Sequence, residues 1–222
     1  MKNKFIDPSL NNTQRLYKYM KYEHLKSFQE NGLLRISRLS YYHNIENLGK
    51  AIGDKDEGKS FVDLDINYFK KTSENNPPSA SEILFGNFGN GAIVKNLKIK
   101  NATISDRNYF CLCLSETRSK SLMADFNADS YIEIKNPIKF FKVISSSVAD
   151  YNHAIFAKCD YSGRRKKYNI YNHDDDWKKH SFLKDPEYIT QREVRAVWNI
   201  NNTEKDHITL KCFAAIKFCK FS

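Results

Sequence analysis

Gln191-Arg-Glu-Val-Arg195-Ala-Val-Trp-Asn-Ile200 carries two patterns on one stretch of chain. From Val194 to Ile200 the residues are mostly apolar, β-branched or aromatic, as a strand inside a core requires. Side chains two apart on an extended chain project to the same side. Gln191, Glu193 and Arg195 therefore form one polar row at the mouth of the strand, while Val194, Ala196 and Trp198 lie on the opposite face. Such a row is either a strand face carrying a surface salt bridge or the wall of a polar site.

The rest of the chain supplies strands for this one to join. Arg15–Met20 is rich in β-formers and reads as a first strand. Glu23–Asn31 has Leu25 and Phe28 at helical spacing and stops at Gly32, and Leu33–Ser37 then reads as a second strand. Residues 38–58 mix aromatics, glycine and acids and read as a long functional loop or a short helix with loops. Further strands are expected at Tyr109–Ser115, Tyr131–Lys135, Ala154–Tyr161, Val194–Ile200 and Ile208–Phe218. Pro137–Ser147 is expected to be a helix with proline at its start. Strands outnumber helices and do not alternate with them, which points to α+β rather than a doubly wound sheet. The Pro-Pro and Gly/Asn-rich stretch 73–91 is the candidate mobile insertion in what otherwise reads as a single domain over 1–222.

Composition narrows the class. With 41% apolar and 14% aromatic residues in 222, the chain can bury a sizeable core, and a disordered reading is excluded. The formal charge of +10 favours a polyanionic partner such as nucleic acid, although Lys outnumbers Arg by 27 to 9, which disfavours bidentate base reading. Five cysteines without regular spacing read as buried thiols, and Cys111 and Cys113 share one strand face. The N-terminus lacks the apolar run of a signal peptide and no stretch approaches 18 apolar residues, so a cytoplasmic, reduced protein without membrane contact is expected. Twenty-two Asn beside abundant Lys and Ile suit an AT-rich coding sequence.

The chain contains no P-loop, no Gly-x-Gly-x-x-Gly, no Gly-x-Ser-x-Gly, and none of the paired His or Cys spacings of a zinc site. Two constellations remain. A carboxylate beside an amide, as in Gln191 and Glu193, suits chemistry at a sugar carbon, where it can hold a ribose hydroxyl and stabilise positive charge at the anomeric centre. Asp125 and Asp129 followed by Glu133-Ile-Lys135 is the skeleton of a Mg²⁺-dependent nuclease, in which carboxylates hold the cation and Lys steers water or phosphate. A half-exposed strand alternating Ile with charges gives the same string.

Six pieces occur in order: Leu16–Tyr19, Gly32–Ser40, Gly53-Asp-Lys-Asp-Glu-Gly58, Cys113-Leu-Ser115, Ser121-Leu-Met-Ala124 and Gln191–Arg195. In that order the chain resembles a broad family of uncharacterised bacterial proteins with an ADP-ribosyltransferase-like fold. The resemblance implies a split β-sheet core with flanking helices and an NAD-dependent ADP-ribosyltransferase modifying a macromolecule. It also implies a nucleic-acid or protein acceptor, a toxin or anti-phage role, and an antitoxin or regulatory protein as a further partner. It assigns Glu193 as the catalytic carboxylate and Gln191 as the residue that orients the acceptor. Tyr17, Lys18, Tyr19, Ser37, Ser40, Tyr42 and Arg195 are assigned to the NAD site, with Tyr41–Tyr42 able to stack on nicotinamide. Two departures stand out: Lys18 where the classical transferases place His or Arg, and Ala124 in place of the family's Trp. A chain of the same fold that binds nucleic acid without catalysis is the alternative that Lys18 favours.

Overall fold

The computed structural model describes residues 3–43, 53–70, 91–105, 109–168, 180–200 and 204–222. The candidate insertion at 73–91, apart from Gly91, and residues 44–52 of the loop expected over 38–58 lie outside these residues.

Strand β10 (Glu193–Ile200) runs through the interior of a sheet that has nine strands among the described residues. It pairs antiparallel with β6 (Tyr109–Ser115) on one side and β8 (Tyr151–Lys158) on the other, and β1 (Asn3–Ile6) runs parallel to β8. Both faces of β10 are buried, which explains its near-continuous apolar run.

Beyond β6 the sheet forks. β2 (Leu16–Met20) meets the end of β6 through Tyr17 and Ser115. β3 (Leu33–Arg38) meets its start through Ser37–Cys111 and Arg38–Phe110. One arm continues from β2 to β7 (Ser130–Ile134) and β12 (Cys219–Phe221), and the other from β3 to β11 (His207–Lys211). A gap is left where β2 and β3 part, and the candidate site lies there.

The even residues of β10, Val194, Ala196 and Trp198, face the main core with Phe110, Leu112, Ala154, Phe156 and helix α3 (Pro137–Ser147). Helix α1 (Tyr22–Asn31) adds Leu25 and Phe28, and α2 (Lys120–Asp125) sits beside Tyr19 and Tyr131. Phe141 of α3 stacks on Phe156 at 4.9 Å, and the buried Trp198 indole donates to Ser145 Oγ at 3.0 Å. The odd face of β10 joins a second cluster through Val197, with Leu39, Cys111, Ile155 and Phe182. Local rules explain the helix ends. α3 starts on Pro137 with Asn136 capping Lys139 N–H, and α1 ends on Gly32 at φ +66.

The class is α+β, and most expected elements fall within a few residues of their observed bounds. The stretch expected as a strand over Ile208–Phe218 divides instead. Strand β11 ends at Lys211, α4 (Phe213–Ile216) follows, and β12 begins at Cys219. Cys212 N–H donates to Gly32 C=O at 2.8 Å, turning the chain away from the sheet just before the helix-favouring Ala214-Ala215 pair. Two long strands add to those expected. β4 (Lys59–Lys70) and β5 (Ile93–Ser105) form an antiparallel ribbon to which β9 (Arg165–Tyr168) adds a parallel third strand. Val62-Asp-Leu-Asp-Ile66 alternates apolar with acidic residues, a period-two signal that marks β4.

Candidate functional site

The polar row of β10 is a buried charge cluster rather than a solvated face. Arg195, 1% exposed, reaches both carboxylates around it. Its Nε and Nη2 donate to Glu193 at 2.8 and 3.2 Å, and Nη1 and Nη2 donate to Glu57 at 2.6 and 2.8 Å. A further donation from Nη1 to Ser181 C=O at 2.5 Å completes the fork. Lys184 Nζ sits 2.8 Å from Glu193 Oε2 and donates to Gln191 Oε1 at 2.7 Å. Two carboxylates thus answer two cations, all nine-tenths or more buried.

This arrangement sets the protonation state. Burial works to raise the Glu193 pKa, but Arg195 and Lys184 outweigh it and hold the carboxyl well below its usual range. Burial likewise opposes the charge on Lys184, and the carboxylate of Glu193 outweighs it, so the ammonium stays protonated beyond its ordinary range. Glu193 is therefore an anion at neutral pH.

The backbone around Glu193 is fixed as tightly. A 3₁₀ turn over Pro186–Gln191 leads into β10 through Arg192, a non-glycine residue at φ +41. That left-handed step costs about 1–3 kcal/mol and aims Gln191 and Glu193 into one space. Tyr161 Oη accepts Glu193 N–H at 2.7 Å, and Ser115 Oγ donates to Gln191 C=O at 2.8 Å.

A cavity of about 140 Å³ opens over this floor. Its walls are Tyr17, Lys18 and Tyr19 of β2, Tyr42, Phe126, and Cys113 to Ser115 of β6. A second cavity of about 220 Å³ shares Lys18, Tyr19 and Tyr42 with it and continues along Leu34, Ser37 and Tyr41. The fork of the sheet is the cause: with β2 and β3 each touching β6 at one end, Leu112–Leu114 of β6 pair with no described strand on that side.

Of the nine residues assigned from the sequence, Gln191, Glu193, Tyr17, Lys18, Tyr19, Tyr42 and Arg195 all line the first cavity. Ser37 lines the second and hydrogen-bonds Tyr42. Ser40 lies on the same 3₁₀ stretch, Leu39–His43, and lines neither. Two residues of the floor were not foreseen. Glu57 belongs to the Asp-x-x-Glu-Gly segment, but its pairing with Arg195 spans 138 positions and leaves no local trace. Lys184 sits in a segment with no motif. Asp54 of the same acidic segment is buried against Arg164, which also meets Asp185 at 3.2 Å, so a second ion cluster props the turn that presents Glu57.

The Asp125, Asp129, Glu133 and Lys135 set is not brought together. Asp129 accepts the Tyr22 N–H at 2.6 Å and caps α1, Glu133 pairs with Arg15 at 3.1 Å, and Lys135 is exposed. Among the described residues no three His, Cys, Asp or Glu side chains stand close enough to share a metal. No described helix is long and apolar enough to cross a membrane.

Chemically, the cavity offers aromatic walls for a flat ring, a fixed anion beneath, and an amide and hydroxyl at the rim. Compared with protein families, curated proteins and solved structures, the chain matches none.

Proposed function

We propose that the chain is an ADP-ribosyltransferase that consumes NAD and modifies a macromolecule, with the split sheet serving as the NAD-binding core. The observation that carries this reading is the convergence of Glu193 and Gln191 with Tyr17, Lys18, Tyr19 and Tyr42 on one aromatic-walled cavity. These residues come from three separate stretches of chain. In this reading the nicotinamide ring packs among the tyrosines, its ribose lies over Glu193, and the adenosine half extends into the second cavity past Lys18. The bond from ribose C1′ to the nicotinamide nitrogen breaks and its electron pair leaves with neutral nicotinamide. The acceptor's lone pair bonds C1′ and its proton passes to solvent. A carboxylate that its cationic neighbours hold ionised is suited to stabilising the oxocarbenium-like state between those events.

Lys184 occupies Glu193 Oε2 in this state. A ribose hydroxyl gains that oxygen when the ammonium swings toward the Tyr188 ring, whose centre is already 4.7 Å away. The same contact favours one alternative, a non-catalytic nucleic-acid-binding module of this fold whose carboxylate remains paired.

The test is nicotinamide release and label transfer from NAD to separate pools of DNA, RNA and protein. Transfer is expected from the wild type and not from Lys184→Met/Glu193→Gln, a variant that keeps the floor neutral and therefore folded. No nicotinamide release, and no rise of melting temperature with NAD, selects the binding module. A toxin or anti-phage role, with an antitoxin as partner, follows if transfer damages the host's own macromolecules.

A further inference from the structure

The ribbon formed by β4, β5 and β9 is where the excess charge of the chain is concentrated. These three strands carry eight Lys and Arg against two Asp, within a chain whose whole excess is +10. Lys70, Lys95, Lys98, Lys100 and Arg165 are exposed along it. The two acids, Asp63 and Asp65, lie 3.6 Å from Arg165 and Lys98, solvated pairs that a phosphate can displace at little cost.

The ribbon is rooted in the candidate site. β4 begins two residues after Glu57, and β9 begins one residue after Arg164, which holds Asp54 beneath the same turn. Phe61 N–H donates to Arg164 C=O at 2.9 Å, tying the two roots together. A polyanion lying along the ribbon is thereby led toward the cavity.

We infer that this ribbon is a docking surface for double-stranded DNA. Twelve or thirteen residues at about 3.3 Å each give a length of roughly 40 Å, close to one turn of the duplex. Beyond Leu64, where β9 ends, the ribbon is two-stranded among the described residues, and a two-stranded ribbon fits the wide major groove of B-DNA, whereas the deep, narrow groove of A-form RNA excludes it. Single strands are held on aromatic platforms, and Tyr68 is the one exposed large aromatic among the described side chains of these strands. The inference deepens the proposed transferase by naming its acceptor class, and rests on that reading only for the transfer step.

The test is fluorescence anisotropy of the full chain with a labelled duplex, without NAD, from 50 to 200 mM salt. About four phosphate contacts give a log–log slope near −3.6, so affinity should fall roughly 150-fold over that range. Lys95→Glu/Lys98→Glu/Lys100→Glu should abolish most binding and flatten the slope by about 2.7. Lys135→Glu/Lys139→Glu/Lys142→Glu, with the same change of net charge at the start of α3, should bind almost as the wild type does. Should repulsion between residue 98 and Asp65 impair folding, Lys95→Gln/Lys98→Gln/Lys100→Gln carries the same expectation. Absence of duplex binding, equal loss in the α3 control, or equal affinity for duplex RNA or single strands would overturn the inference. Because the assay contains no NAD, its failure leaves the NAD reading standing, and failure of NAD cleavage leaves a positive binding result standing.

Discussion

Replacing Glu193 by glutamine preserves shape and removes one negative charge from a floor that is neutral as it stands. Arg195 retains its bidentate contact with Glu57, at 2.6 and 2.8 Å. Lys184, 5% exposed, loses the anion that sits 2.8 Å away. An uncompensated buried charge costs about 3–5 kcal/mol. For a chain of this size each kcal/mol lowers the melting temperature by about 2–4 °C, so a fall near 10 °C is expected.

The fold can relieve that cost by releasing the Lys184 proton. Burial already acts against its charge, and Glu193 is the largest influence holding it up. Without Glu193 the folded pKa drops below the ordinary 10.5. The unfolded chain then binds more protons than the folded one, so stability rises with pH until 10.5 is reached. Each unit of depression is worth about 1.36 kcal/mol. Urea denaturation at pH 7 and pH 9.5 reads this directly: Glu193→Gln should be clearly less destabilised at the higher pH. Lys184→Met/Glu193→Gln should recover most of the loss and show no such pH dependence. A single-variant loss below about 1 kcal/mol, or the same loss at both pH values, would refute the argument that Lys184 and Glu193 are a desolvated pair.

The legibility of this site in the sequence divides along a physical line. Gln191, Glu193 and Arg195 could be placed on one face because the period of a strand is local, and the same rule put Val194, Ala196 and Trp198 in the core. The rule could not tell that the polar face is buried, since that depends on Leu39, Phe182 and the Glu57 turn arriving from elsewhere. Glu57 and Lys184 illustrate the limit: each is one acid or one lysine among many until tertiary contact pairs it with Arg195 or Glu193. The fork that opens the cavity is equally non-local, because nothing in Leu16–Met20 records that only Tyr17 will reach β6. Capping was legible where it is sequential, at Gly32 and Pro137. It was not legible where Asp129 caps α1 from 107 positions away, and that cap draws Asp129 out of any nuclease set.

Two further outcomes follow from the same geometry. Gly32→Ala should cost about 1–3 kcal/mol, because a Cβ at φ +66 would stand 2.8 Å from Phe213 N, a backbone atom that cannot turn aside, and thermal unfolding will read it. The second is the stability profile of the wild type. Glu193 has its pKa depressed, so its contribution is complete above the ordinary value of 4.5 and is lost as pH falls from there toward its folded value. Lys184 has its pKa raised by Glu193 against burial, so its contribution is complete below 10.5 and is lost as pH rises through its folded value. Burial raises Tyr188 to about 12 and Tyr161 further still, so ionisation of these hydroxyls in the unfolded chain erodes stability above pH 10 in the same direction. These groups together predict a plateau between roughly pH 5 and 10 with a fall on either side. Urea midpoints taken from pH 3 to pH 11 trace the profile. A steady rise in stability across pH 6 to 9 would mean that Lys184 is already short of a counter-ion in the wild type, and the neutral floor of two carboxylates and two cations would have to be abandoned.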